Sequence, residues 1–115
     1  MNFDFSTVVG SFSPEEKIVF YTSFANRLTI ANRVVWSNKE INLADQVEQL
    51  KWLNEIMHRV LNRLLAHQQG DVRDDEENTW NMIKHHVSQS PAIGGYVSLA
   101  INESYAWVLQ LGSSK

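Results

Sequence analysis

Helical spacing of apolar residues over one long stretch constrains this chain more than any other feature of its sequence. Between positions 43 and 64, apolar side chains recur every three or four residues, which places them on one face of an α-helix. They are Leu43, Val47, Leu50, Leu53, Met57, Val60, Leu61 and Leu64. Asn42 with Asp45 can cap the start of such a helix, and Gly70 suits its end. The pattern predicts a helix over about 43–69.

A second long helix is predicted over about 14–36. The segment SPEE begins with Ser13, a good N-cap, and has Glu16 where a capping box places its acid. Apolar side chains then follow at helical spacing, namely Tyr21, Phe24, Leu28, Ala31 and Val35. Ile30 and Val34 lie on the far side of this helix. We therefore expect a central helix that is apolar on more than one face.

Two shorter helices complete the prediction. The third, over about 76–89, follows an acidic run and ends before a proline. The fourth is predicted over about 93–111. Its start has two alternatives, because Ser90 and Pro91 can cap it at once whereas the adjacent glycines at 94–95 can delay it. Its apolar face consists of Val97, Ile101, Val108 and Leu111.

No segment alternates apolar and polar residues with the period of two that a half-buried strand requires. We therefore predict an all-α protein, a four-helix bundle built on a long antiparallel hairpin of the first two helices. At 115 residues the chain is expected to form a single helical domain, 1–115. Residues 1–12 are predicted to form a short N-terminal arm that packs onto the bundle.

Composition excludes several classes of function. With no cysteine, the chain has no disulfides, thiolate metal ligands or cysteine nucleophiles, and it is compatible with a reducing cytoplasm. A net charge of -3 gives no electrostatic attraction for nucleic acid. No secretory signal and no apolar run of about 20 residues is present, so no membrane association is expected. We expect a small cytoplasmic protein without cofactors, of a size and composition typical of bacteria.

Glu55 and His58 are the candidates for a metal site. A carboxylate three residues before a histidine lies on the same helix face, as in carboxylate-bridged di-iron bundles. Such a site needs a second pair of this kind, and the sequence has none, so no metal is predicted. His85 and His86 are about 100° apart on a helix and cannot share a metal from one face. Whether one of them meets His58 or His67 across a helix interface is left open by the sequence.

Four acids precede or open the third helix, namely Asp74, Asp75, Glu76 and Glu77. Carboxylates at this end complement the helix dipole, and His67 does the same at the end of the second helix. We interpret both features as structural. No Gly-x-Ser-x-Gly motif or other nucleophile with an adjacent base appears, so enzymatic activity is not expected.

An interaction surface is predicted on the second helix. Trp52 and Ile56 lie opposite its apolar seam, with Arg59 and Arg63 beside them. Tryptophan and arginine are enriched in the residues that dominate protein interfaces. The alternatives are that the arm or another helix covers Trp52, that a second copy of the chain does so in a homodimer, or that a different protein does so.

These observations predict a non-enzymatic protein–protein interaction or self-associating module whose working surface is the Trp52 face. The alternative is a helical bundle that binds a metal or a small ligand through Glu55 and His58.

Overall fold

In the part of the chain that the structure describes, four α-helices pack as a bundle, which confirms the predicted all-α class. The computed structural model describes residues 9–70 and 76–113. Helix α1 spans Pro14–Ser37, α2 spans Leu43–Gln68, α3 spans Glu76–Gln89 and α4 spans Pro91–Ser113. None of these helices is long and apolar enough to cross a membrane.

The helix ends follow the capping residues of the sequence. At the start of α1, the Ser13 hydroxyl accepts the Glu16 N–H at 3.2 Å, and the Glu16 carboxylate accepts the Ser13 N–H at 2.9 Å. Asn42 caps α2 by accepting the N–H of Asp45 at 2.9 Å. Gly70 follows the end of α2 with φ of 70°, in the left-handed region that glycine adopts without strain. Local sequence therefore sets these boundaries.

Helix α4 begins at Pro91, two residues before its predicted start. The Ser90 hydroxyl accepts the N–H of Ile93 at 3.3 Å, so the earlier of the two alternatives is the one that forms. Gly94 lies close against α3, and a Cβ at this position would be 3.3 Å from the Val87 side chain. The missing side chain at Gly94 lets α4 start directly against α3.

Helices α1 and α2 form the predicted antiparallel hairpin. The Asn32 amide donates to the Asn54 side-chain oxygen at 2.6 Å, and the Thr29 hydroxyl lies 3.3 Å from the sulfur of Met57. In these pairs, lower positions on α1 match higher positions on α2, as an antiparallel arrangement requires.

Helix α4 packs antiparallel on another side of α1. The buried Ser104 hydroxyl donates to Ser23 at 3.0 Å, and the Arg27 guanidinium pairs with Glu103 at 2.9 Å. Helix α1 thus lies between α2 and α4, and it is central as predicted.

Aromatic rings fill the core where α1 meets α3. Trp80 of α3 is fully buried, with its ring centroid 5.9 Å from Phe24 and 6.2 Å from Phe20. Phe12 closes this end of the core by packing on Phe20 at 5.9 Å and on Tyr105 at 5.3 Å. Residues 1–8 of the predicted arm lie outside the described residues.

The predicted seam of α2 is wrong in part. Leu43, Val47 and Leu61 belong to it by spacing, yet all three are exposed. The fully buried residues of α2 are Leu53, Ile56 and Val60. Helix α2 contacts α1 on one side and α3 on another, so its buried stripe is rotated from the direction that a single neighbour would give.

A buried carboxylate joins three of the helices. Glu76, the first residue of α3, is fully buried and accepts from the Lys17 ammonium of α1 at 3.0 Å. The Tyr21 hydroxyl also donates to it, and the His67 Nε2 atom of α2 lies 3.1 Å from its second oxygen. The Trp80 indole donates to the Tyr21 oxygen at 3.1 Å. We call these five residues the Glu76 cluster.

The Glu76 cluster supplies the charge partner and the hydrogen bonds that a buried carboxylate needs. An ion removed from water costs several kcal/mol unless it is paired and hydrogen-bonded. Lys17 supplies the opposite charge, and the first turn of α3 adds the positive end of its dipole. The rings of His67 and Tyr21 stack at 5.6 Å with 10° between their planes. The cluster therefore fixes how α1, α2 and α3 meet.

We predict that Glu76→Ala lowers the free energy of unfolding by about 3 kcal/mol, because it removes the buried carboxylate that pairs with the Lys17 ammonium and accepts from the Tyr21 hydroxyl. Urea unfolding followed by tryptophan fluorescence measures the loss. Glu77→Ala is the matched control, since Glu77 is the next residue on α3 and is exposed. Its effect should stay within about 0.5 kcal/mol. Equal losses for the two variants would contradict the structural role of the cluster.

Candidate functional site

The surface predicted around Trp52 is not a free apolar face. Ile56 is fully buried, so its predicted outward position is wrong. Trp52 is partly buried and lies against the His86 ring of α3, with 4.4 Å between centroids. Helix α3 therefore covers part of Trp52. Arg59 is exposed, while Arg63 is partly buried and its Nε atom has no hydrogen-bond partner among the described residues.

Glu55 lies near a different histidine from the one that sequence spacing indicates. Its carboxylate is 3.9 Å from the Nε2 atom of His86, whereas His58 is exposed. Across the helix interface, His86 of α3 thus lies near Glu55 of α2, while His67 lies against Glu76 and Tyr21. Within the described part of the chain, no three histidine or acidic side chains are grouped so that they could hold a metal ion.

Burial controls the protonation of His86. Loss of water contact lowers the pKa of its imidazole from the usual 6.5, and the nearby Glu55 carboxylate offsets part of this effect. His85 and Arg59 act in the same direction as burial and lower the pKa further. The lowered pKa favours the uncharged ring at neutral pH, and in that form one of the two ring nitrogens is a hydrogen-bond acceptor.

The Glu76 cluster contains side chains that enzymes use for proton transfer, but its geometry favours a structural role. The carboxylate of Glu76 is fully buried, and its oxygens already contact Lys17, Tyr21 and His67. A reacting group has no access to this carboxylate. Sequence reasoning placed His67 and Glu76 correctly at two helix ends but missed that they meet. Their positions in the sequence indicate this contact, since the end of one helix and the start of its antiparallel neighbour are close in space.

A broad apolar surface lies on the outer side of α1 and α4. The exposed fractions of its main side chains are 49% for Ile30, 47% for Val34, 59% for Leu99 and 45% for Trp107. Two grooves run along it, of about 700 Å³ and about 270 Å³. No other described helix covers it. We call it the α1–α4 face and define it by Ile18, Arg27, Ile30, Val34, Leu99, Glu103 and Trp107.

A charged pair lies in the middle of the α1–α4 face. The Arg27 guanidinium is 2.9 Å from the Glu103 carboxylate, and both side chains are roughly four-tenths exposed. On α4, Leu99, Glu103 and Trp107 are four residues apart and form one ridge. Apolar side chains therefore lie on either side of the pair. The far-side apolar residues of α1 indicated this surface in the sequence, but the contribution of α4 was missed.

Comparison with protein-family models, with curated proteins and with solved structures returned no match to this chain. Its function is therefore inferred from the geometry of the molecule. Among the described residues, the candidate binding surfaces include the α1–α4 face and the cleft beside His86 between α2 and α3.

We predict that His86 makes the fold less stable as the pH falls. The folded state has the lower pKa, so the unfolded chain takes up the proton first as the pH drops through 6.5. The stability that the neutral ring contributes is thus present above 6.5 and is lost between 6.5 and the folded pKa. Replacing the imidazole in His86→Gln should reduce the difference in unfolding free energy between about pH 7.5 and about pH 5.5.

A second variant tests what shifts the pKa of His86. Glu55→Gln removes the charge that opposes burial, so it should lower the pKa of His86 further in an NMR titration of the imidazole signals. His58→Gln is the control, because His58 is exposed, and it should leave the His86 titration unchanged. A His86 midpoint above 6.5, or one that rises in Glu55→Gln, would refute this account.

Proposed function

We propose that this chain is a non-enzymatic interaction module that pairs with a second copy of itself through the α1–α4 face. The observation that carries the proposal is the exposure of Ile30, Val34, Leu99 and Trp107 on two adjacent helices. A contiguous apolar surface bordered by polar residues is typical of a protein interaction site. This surface replaces the Trp52 face as the candidate interface, because Ile56 is buried and His86 covers part of Trp52.

The charges of the face favour a second copy as the occupant. In a two-fold symmetric pair, the same surface meets itself, so each group is matched by another group of that surface. A surface with Arg27 beside Glu103 at its centre is complementary to its own rotated copy, since each arginine then lies near the partner's glutamate.

The apolar side chains of the α1–α4 face would also match each other in a two-fold symmetric pair. Leu99 and Trp107 lie on opposite sides of Glu103 along α4. A two-fold axis near the charged pair would place the Leu99 end of one copy on the Trp107 end of the other. Both apolar ends would then be removed from water together, which is the main favourable contribution to association. The cysteine-free composition is compatible with a reducing cytoplasm, which we propose as the location of this pair.

We predict that the wild-type chain of 13.2 kDa has about twice this mass in light scattering and that Leu99→Glu weakens association at least about tenfold. A buried carboxylate without a partner opposes pairing. Leu65→Glu is the matched control, because Leu65 of α2 is 51% exposed, against 59% for Leu99, and lies outside the face. A wild-type monomer at concentrations up to about 1 mM, where association is already weaker than about 4 kcal/mol, would refute the proposal.

Reversal of the central charges distinguishes a second copy from a different partner. Arg27→Glu places two glutamates opposite each other in the symmetric pair and should weaken association. Adding Glu103→Arg restores both the pair within the chain and the pair between copies, so association should return. Urea unfolding of both variants separates this result from a loss of stability. Failure of the double variant to associate, with its fold intact, would contradict the two-fold arrangement.

A further inference from the structure

The smaller groove of the α1–α4 face is an open apolar slot between two helices. Its walls include Ile30 and Val34 of α1 and Tyr96 and Leu99 of α4. Its volume of about 270 Å³ lies just below the range, from about 300 Å³ upward, of pockets that hold whole small molecules. Ile30, Val34 and Leu99 are each about half exposed to water. The groove therefore suits a single apolar side chain from another molecule.

One part of this groove is charged. Arg27 and Glu103 line it together, with the guanidinium 2.9 Å from the carboxylate. A carboxylate has more acceptor positions than this one contact uses, and a guanidinium binds the face of an aromatic ring. The groove thus favours a ring that is largely apolar and has one N–H donor. Among amino-acid side chains, the indole of tryptophan has this chemistry.

Trp107 is an exposed indole on the same face. Of the four tryptophans, Trp80 is fully buried and Trp52 is partly covered by α3. Trp36 is 66% exposed at the end of α1, and Trp107 is 45% exposed on α4. Trp107 lines the larger groove, eight residues or about 12 Å along α4 from Leu99. It therefore does not reach the smaller groove of its own chain.

The two-fold arrangement brings Trp107 of one copy to the smaller groove of the other. Leu99 and Trp107 each lie four residues from Glu103, in opposite directions along α4. A two-fold axis at the central charged pair exchanges these two ends of the helix. We infer that the smaller groove is a binding site for an indole ring and that Trp107 of the second copy supplies this ring. This inference rests on the proposed pairing through the α1–α4 face.

Each groove is then incomplete without the other copy, and the same contact occurs twice in the pair. The indole N–H of Trp107 donates to the Glu103 carboxylate of the second copy, and the Arg27 guanidinium of that copy lies over the ring. A tryptophan that fills a pocket at the centre of an interface is the kind of residue that dominates binding energy. Trp107 is thus the residue that selects a second copy of this chain.

A mixture of two defective variants tests the inference. Trp107→Ala lacks the ring but keeps the groove, whereas Leu99→Glu alters the groove but keeps the ring. A pair of identical variants loses both contacts, so each variant should associate at least about 100-fold more weakly than wild type, at about tenfold for each contact. A mixed pair keeps one contact, because Trp107 of the Leu99→Glu copy meets the intact groove of the Trp107→Ala copy.

The mixed pair should therefore form at least about tenfold more tightly than either variant pairs with itself. Analytical ultracentrifugation with a fluorescent label on one variant measures the three dissociation constants. Leu99 and Trp107 are both about half exposed, so both variants should fold, and urea unfolding checks this. Trp107→Phe keeps a ring without the N–H donor and should pair more tightly than Trp107→Ala does.

Trp36→Ala is the matched control, because Trp36 is more exposed than Trp107 and lines neither groove. It should change association by less than about twofold. A mixture that associates no more tightly than each variant alone, while wild type pairs, overturns the inference and leaves the pairing intact. So does an equal loss in Trp36→Ala and Trp107→Ala. A wild-type monomer up to about 1 mM overturns the pairing and the inference together.

Discussion

The buried carboxylate of Glu76 is the constraint on which the arrangement of the first three helices depends. A carboxylate without water must receive its charge partner and its hydrogen bonds from the protein. Here Lys17 and Tyr21 come from α1 and His67 from α2, so these helices meet α3 in one register. Apolar side chains tolerate small shifts between helices, whereas these polar contacts do not. The cluster thus selects one packing among those that the apolar core alone would allow.

This arrangement also determines which surface of α1 is left uncovered. Residues of α1 contact α3 through the cluster and the aromatic core, and other sides of the helix meet α2 and α4. Helix α1 is apolar around most of its circumference, so its remaining side exposes Ile30 and Val34. Helix α4 adds Leu99 and Trp107 to the same surface. An exposed apolar surface of this kind lowers solubility, and the proposed pairing with a second copy would remove that cost.

Local features of the fold follow from the sequence because their causes are local. The capping box of Ser13 and Glu16 and the cap at Asn42 each depend on residues within one helical turn, and the predicted boundaries agree with them. The long hairpin follows from two long helices with apolar faces that are joined by a short loop. The earlier start of α4 depends on Ser90, which the sequence offered as one of two alternatives.

Features that depend on several helices were not predictable in the same way. The spacing of α2 predicts an outward Ile56 only for a helix with one neighbour, whereas α3 is a second neighbour and Ile56 is buried. Glu55 and His58 share a helix face, but the closer partner of Glu55 is His86, which only the packing of α3 brings near. The convergence of Lys17, Tyr21, His67 and Glu76 is likewise a tertiary feature. Single-helix periodicity contains no information about such contacts.

Isotope-filtered NMR on an equal mixture of labelled and unlabelled chains tests the proposed pairing most directly. Leu99 and Trp107 are eight residues apart, or about 12 Å along α4, so their protons cannot be in contact within one chain. The two-fold arrangement through the α1–α4 face predicts cross-peaks between the Leu99 methyl groups of one copy and the Trp107 indole of the other. Their absence, with intermolecular cross-peaks instead from Trp52 or none at all, would contradict it.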